Sequence, residues 1–149
     1  MKTILITGAT SGIGLAAAKK LANEKNQLIL CGRRQYKLDE ISEKLSKSTN
    51  VLSLCFDVSD KNEVNRLLND IPEKFGSIDI LINNAGNAHG LDTIQEGSLE
   101  DWDNMIDINI KGLLYVSRAI IPKMVERKSG HIINIGSLAG REVYEKGNV

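Results

Sequence analysis

Three glycines fall within the eight residues Thr7-Gly8-Ala9-Thr10-Ser11-Gly12-Ile13-Gly14. A glycine permits a tight turn, a second lets the backbone approach a pyrophosphate, and a third lets helix and strand pack closely. A helix beginning there presents free N–H groups and a partial positive charge to that phosphate. A plain flexible turn also collects glycine. The placement directly after an apolar run and before an alanine-rich one favours the phosphate reading. Further on stands Gly32-Arg33-Arg34. An NAD site commonly carries an acid about 20 residues past its glycines, to accept the ribose hydroxyls. Here there is no acid. Paired guanidiniums favour a 2′-phosphate through forked, charge-assisted hydrogen bonds, and one could stack on adenine. Two arginines on a solvated loop is the plainer account. The pattern predicts NADP rather than NAD.

Other residues carry weaker chemical signals. Ser137 follows the apolar run 131–135, at the strand edge where open α/β sheets bind ligands. Its hydroxyl could hydrogen-bond a substrate oxygen as charge develops there, although a strand-end serine also simply forms turns. Asn109 shares a helical face with Trp102, Ile106, Leu113, Val116 and Ile120, which predicts an amide in an apolar stripe. Burying an amide costs about 1–3 kcal/mol unless it is hydrogen-bonded, so Asn109 is expected to bond a neighbouring backbone. His89 and His131 have no acid or thiol at ligand spacing, and no metal site is expected. Lys123, Arg127 and Lys128 read as the solvated basic end of a helix, in keeping with its dipole.

The elements that must position these groups alternate along the chain. Residues 3–7, 27–31, 51–56, 78–82 and 131–135 are short runs that read as strands. Helices are predicted over residues 12–23 and again where Leu38, Ile41 and Leu45 form a stripe. Another stripe holds Val64, Leu67, Leu68, Ile71 and Phe75, with Pro72 disturbing its last turn. A long helix is expected from residue 101 to 126, and a second face carrying Ile108, Ile121 and Val125 suggests a partner surface. Strands that read as unbroken apolar runs between helices indicate an α/β fold, a parallel sheet covered on both faces.

The chain has 149 residues, enough for one sizeable core and one domain. Lysine plus arginine and aspartate plus glutamate each number 19, a balance that gives no wholesale attraction to nucleic acid or anionic membrane. No apolar run reaches the roughly 20 residues of a spanning helix. Cys31 and Cys55 lie in separate strands, as buried thiols in a reducing cytoplasm would.

The turn TGATSGIG resembles the TGxxxGxG element of the short-chain dehydrogenase/reductase family. Asp57-Val58, Asn83-Asn84-Ala85-Gly86 and the serine closing Ile133-Asn134-Ile135-Gly136-Ser137 follow in the family's order. The stretches NNAGNAHG and DWDNMIDINIKGLLYVSRAIIPKMVERKSGHIINIGSLAG are most similar to the NADP-dependent branch that oxidises serine and related 3-hydroxy acids. The resemblance implies a Rossmann-like three-layer sandwich and hydride transfer on a small hydroxy or keto compound. It implies that Gly8 through Gly14 hold the pyrophosphate, Asp57 and Val58 contact adenine, and Asn84, Ala85 and Gly86 lie beside the nicotinamide ribose. Ser137 would be catalytic, Asn109 would hold a water of the proton relay, and the long helix would join a bundle in a homodimer or homotetramer.

The family completes its site with a Tyr-x-x-x-Lys pair shortly after the serine. The tyrosine is the general acid/base, and the lysine lowers its pKa from about 10 while gripping the ribose. No such pair follows Ser137; four residues beyond Tyr144 stands Asn148, and Tyr144 is too close to the serine to take the role. The expectation is therefore the N-terminal part of one nucleotide-binding domain, inactive alone, with residues 131–135 at an unpaired sheet edge. The alternative is a non-catalytic NADP-binding or interaction module ending at residue 149.

Overall fold

The computed structural model describes residues 1–142 and 145–147; Tyr144 and Asn148 lie outside the described residues. Strands β1 (Lys2–Thr7), β2 (Asn26–Gly32), β3 (Asn50–Cys55), β4 (Ile80–Asn83) and β5 (His131–Asn134) form one five-stranded sheet in the order β3-β2-β1-β4-β5. Every pairing is parallel, with Leu5 opposite Ile29 on one side and Leu81 on the other. Helices α1 (Gly12–Leu21) and α2 (Gln35–Leu45) return the chain across one face, and α3 (Lys61–Asn69), α4 (Leu99–Ile106) and α5 (Leu113–Glu126) follow the later strands.

The two faces are fixed by alternation along the strands. Ile4, Ile6, Leu28, Leu30 and Ile82 pack against Ala18 of α1 and Leu38 and Ile41 of α2. Leu5, Ile29, Cys31 and Leu81 point the other way, onto Val64 and Leu68 of α3 and Val116, Ile120 and Met124 of α5. This is the expected three-layer Rossmann-like α/β fold. Edge strand β5 is exposed throughout, also as expected.

Two helices differ from the sequence reading. The stripe ending in Phe75 is not one helix: α3 stops at Asn69, and Phe75 sits in a separate short 3-10 turn, Glu73–Phe75. A residue preceding proline is driven out of the helical region, so Pro72 ends the helix earlier rather than disturbing its final turn. Phe75 remains buried, and its carbonyl accepts from Thr3 Oγ1 (2.5 Å) and Gln27 Nε2 (2.8 Å).

The long helix starts at Leu99, where the Ser98 hydroxyl accepts from Asp101 N, and contains a π turn, Asp107–Gly112, between α4 and α5. The wider turn changes the phase of the helix. Met105, Ile108, Gly112, Val116, Ile120 and Met124 face inward, while Ile106 and Asn109 are exposed. Asn109 is therefore not in an apolar stripe, and Ile108, expected on the outer face, is part of the core. Arg127 is half-buried rather than fully solvated, and its Nη2 donates to the Ile78 carbonyl.

Candidate active site

From β1 the sheet continues to β2 on one side and to β4 on the other, so the chain leaves the carboxyl ends of β1 and β4 in opposite directions. Open α/β sheets bind ligands at such a switch point. A cavity of about 1210 Å³ opens there. Every site residue expected from the sequence lines it except Ala9 and Gly14. Those two are buried beneath it: Ala9 N donates to Cys31 O (3.0 Å), and Gly14 packs directly on Gly8.

At the floor, the glycine turn and the loop after β4 are locked together. Gly8 has φ +65°, and a Cβ there would lie 2.8 Å from Asn84 Nδ2. Asn84 Nδ2 donates to Thr7 O (3.0 Å) and Gly8 O (3.1 Å). The Thr7 hydroxyl oxygen accepts from Asn84 N and Ala85 N, both at 3.0 Å. Thr7 was not among the expected site residues. Its signal was a hydroxyl at the end of β1, immediately before the first glycine.

Helix α1 begins on this turn without a cap. The Ser11 side chain makes no capping hydrogen bond, and no acid occupies the first helical turn. Elsewhere Asp60 caps α3 by accepting from Asn62 N (2.9 Å) and Glu63 N (3.1 Å). The free N–H groups of α1 and its positive dipole end are thus left at the cavity wall for an anion. Arg34 extends that charge over the turn, its Nη2 donating to Thr10 Oγ1 (2.9 Å) and Ser11 Oγ (3.3 Å).

Beyond the arginines lies the turn after β3. Arg33 Nη1 pairs with Asp57 Oδ2 at 3.3 Å, and Asp57 Oδ1 accepts from Ser59 N (2.9 Å) and Ser59 Oγ (2.8 Å). Partial burial pushes the Asp57 carboxyl pKa up. The Ser59 donors and then the Arg33 charge outweigh that burial and hold it below the usual carboxylate range. Cys31, under the floor, is a free thiol whose pKa burial pushes up.

At the far end, Asn109 bonds a neighbouring backbone as expected, but from an exposed position. Asn87 N donates to its Oδ1 and its Nδ2 donates to Asn87 O, both at 2.8 Å. Ser137 caps a 3-10 turn, Leu138–Gly140, its Oγ accepting from Ala139 N at 3.1 Å. Among the described residues no acceptor takes the hydroxyl proton. Asn83, quoted only as part of a motif, ties this end together. Its Nδ2 donates to Ser117 Oγ of α5 and to Asn134 Oδ1 of β5, each at 2.9 Å. Among the described residues no cluster of potential metal ligands occurs, and no helix is long and apolar enough to cross a membrane.

The chain is similar to known proteins in both sequence and fold. The short chain dehydrogenase family model matches residues 2–149. NADP-dependent 3-hydroxy acid dehydrogenase YdfG of Shigella flexneri is 43% identical over 146 residues, 98% of this chain and 58% of the relative. The crystal structure of serine dehydrogenase from Escherichia coli aligns with a TM-score of 0.93 at 43% identity, over 99% of this chain and 67% of that one. NAD+-bound xylitol dehydrogenase aligns with a TM-score of 0.92 at 29% identity, over 97% of this chain and 56% of that one. The chain thus spans 58% of the length of its curated relative. A family model matched over nearly every residue, on a site of this geometry, means that the chain belongs to the short-chain dehydrogenase family.

Proposed function

We propose that the chain forms the cofactor site and part of the catalytic site of an NADP-dependent oxidoreductase acting on a small hydroxy or keto compound, such as a 3-hydroxy acid. The observation that carries this is Arg34. Its guanidinium is held over the glycine turn by Thr10 and Ser11, above an uncapped helix start and with no acid at the end of β2. That donor set suits a dinucleotide with an extra phosphate on its adenine ribose. Gly8 through Gly12 would hold the pyrophosphate, Arg33 and Arg34 the 2′-phosphate, Asp57 and Val58 the adenine, and Asn84 to Gly86 the nicotinamide ribose.

When bound, the cofactor would supply the hydride acceptor for oxidation as NADP+ and the hydride donor for reduction as NADPH. The Ser137 hydroxyl donates to the substrate oxygen, which becomes a carbonyl on oxidation or an alkoxide on reduction. Asn109 spends its amide on Asn87, fixing the loop just past the nicotinamide site. Among the described residues no group stands beside Ser137 to exchange the substrate proton. Calorimetry on the purified chain is expected to show NADP binding more tightly than NAD; equal affinity, or no binding of either, overturns the reading. The same sample is expected to give no NADP reduction with serine or 3-hydroxybutyrate, and measurable turnover would refute that part.

Subunit association belongs to this reading. Ile110 is 55% and Leu114 56% exposed on the outer side of the long helix, with Ile106 beside them. Such a stripe supports homo-oligomer formation. Light scattering that finds only a monomer at high protein concentration counts against it. The free thiols Cys31 and Cys55 support a cytoplasmic setting.

A further inference from the structure

We infer that Gly112 is a positioning residue for the adenine end of the cofactor, acting through Val58. The inference rests on the NADP reading above and assigns a role to a residue that touches no part of the cofactor. Two loops border the cavity where adenine and nicotinamide would lie, and one short piece of helix braces both. Near the start of the π turn, Asn109 grips the backbone of Asn87 by two hydrogen bonds. At its end, Gly112 presses on the turn after β3. A Cβ at Gly112 would lie 2.6 Å from Val58 Cγ2, 3.1 Å from its Cβ and 3.2 Å from its carbonyl carbon.

Two of those three atoms cannot move away by side-chain rotation. Carbon atoms in good contact sit about 3.5–4.0 Å apart, so even a methyl group at residue 112 would displace the Val58 backbone or tilt the helix. The turn has little slack in which to absorb this. Phe56 N donates to Gly32 O at 3.0 Å, and Asp57 is held by Ser59 on one side and Arg33 on the other. Val58 is itself buried and lines the cavity next to Asp57. Because Val58 lines the cavity, any shift of it moves the wall beside the space an adenine ring would fill. A glycine at this helix position therefore sets the depth of the adenine slot, independently of the Asn109 grip on the other loop.

The test compares NADP with adenosine 2′,5′-bisphosphate, which carries the adenine end alone. In calorimetry with the 149-residue chain, Gly112→Ala is expected to weaken both ligands by about tenfold, equivalent to roughly 1.4 kcal/mol. Asn109→Ala is expected to weaken NADP and leave the bisphosphate within about twofold, well under that tenfold step. Val58→Ala added to Gly112→Ala removes the atom at 2.6 Å and is expected to recover part of the loss. Should Gly112→Ala not fold, Val58→Leu approaches the same contact from the loop side and is expected to weaken the bisphosphate likewise. Wild-type bisphosphate affinity in a folded Gly112→Ala, or in Val58→Leu when that variant stands in, overturns the inference. A ligand-free readout keeps its failure separate from that of the NADP reading. In Gly112→Ala the amide resonances of Asp57, Val58 and Ser59, and in Val58→Leu as stand-in those of Lys111, Gly112 and Leu113, are expected to shift more than those of Gly86 and Asn87. If they do not, the inference fails whether or not wild-type protein binds NADP. A wild-type chain that binds neither ligand overturns both readings at once, because no adenine slot would then exist to be set.

Discussion

A Cβ at Gly14 would come within 2.4 Å of both Gly8 O and Asn84 Nδ2, whereas one at Gly136, beside Ser137, would meet nothing within 4 Å. The glycines belong to the two ends of one site. At the phosphate end, β1, α1 and the loop after β4 interlock through Thr7, Gly8 and Asn84 until the backbone itself fills the space. At the serine end, β5 is exposed and Ser137 stands on a short turn of its own making. Binding of the constant part of a ligand is thus built into closely packed neighbours, while among the described residues Gly136 beside the serine is not packed against any neighbour.

That contrast breaks first if glycines at both ends tolerate side chains equally. Gly14→Val is expected to cost about 3 kcal/mol in urea unfolding, because the overlap is with backbone and cannot relax by rotation. Valine is preferred to alanine as the probe, since alanine's helix propensity would return about 0.8–1 kcal/mol and mask the clash. Gly136→Ala is expected to stay within about 0.5 kcal/mol of wild type. Comparable losses at the two positions would show that the serine end is packed as tightly as the phosphate end.

The contrast is sharpened by separating binding from reaction. Arg34→Ala is expected to weaken NADP by about 10–100-fold, the worth of one or two charge-assisted hydrogen bonds, and to change NAD by less than about threefold. Ser137→Ala is expected to leave NADP affinity in the same calorimetric experiment within about twofold, a small fraction of a hydrogen bond. A large effect of Ser137→Ala on binding would mean that the serine end grips the cofactor too.

The same division governs how much could be read from the sequence. The phosphate end was legible because its determinants are local: a glycine triplet directly after β1, and two arginines directly after β2. The parallel sheet covered on both faces followed from unbroken apolar runs between helical stripes, whereas the strand order did not. What escaped depends on distant partners or on helix phase. Thr7 acts on residues 77 and 78 positions away, which no local pattern reveals. Asn109 and Ile108 were assigned to the wrong faces because a 3.6-residue period does not foresee a π turn. Pro72 was legible as a disturbance, but where it would end the helix was not. Asp57 was legible from its motif alone, whereas its Ser59 donors appear only once the turn is folded.

Asp57 gives the mildest prediction, because its side chain is partly exposed and solvent screens its pair with Arg33. Its folded pKa is lowered by the Ser59 donors and Arg33 against the opposing effect of burial. In the unfolded chain it titrates at about 3.9. The folded state then binds the proton less readily than the unfolded state, so the contribution to stability is fully present above the unfolded value. It is lost as pH falls through the lowered folded value. Asp57→Asn removes the titration while keeping the shape. Without cofactor, the wild-type advantage in urea midpoint over Asp57→Asn is expected to be small at pH 7 and to shrink between pH 4 and the acid limit of folding. A difference that grows on acidification would mean that burial outweighs the Ser59 donors, and the adenine end would then be less finished than its hydrogen bonds imply.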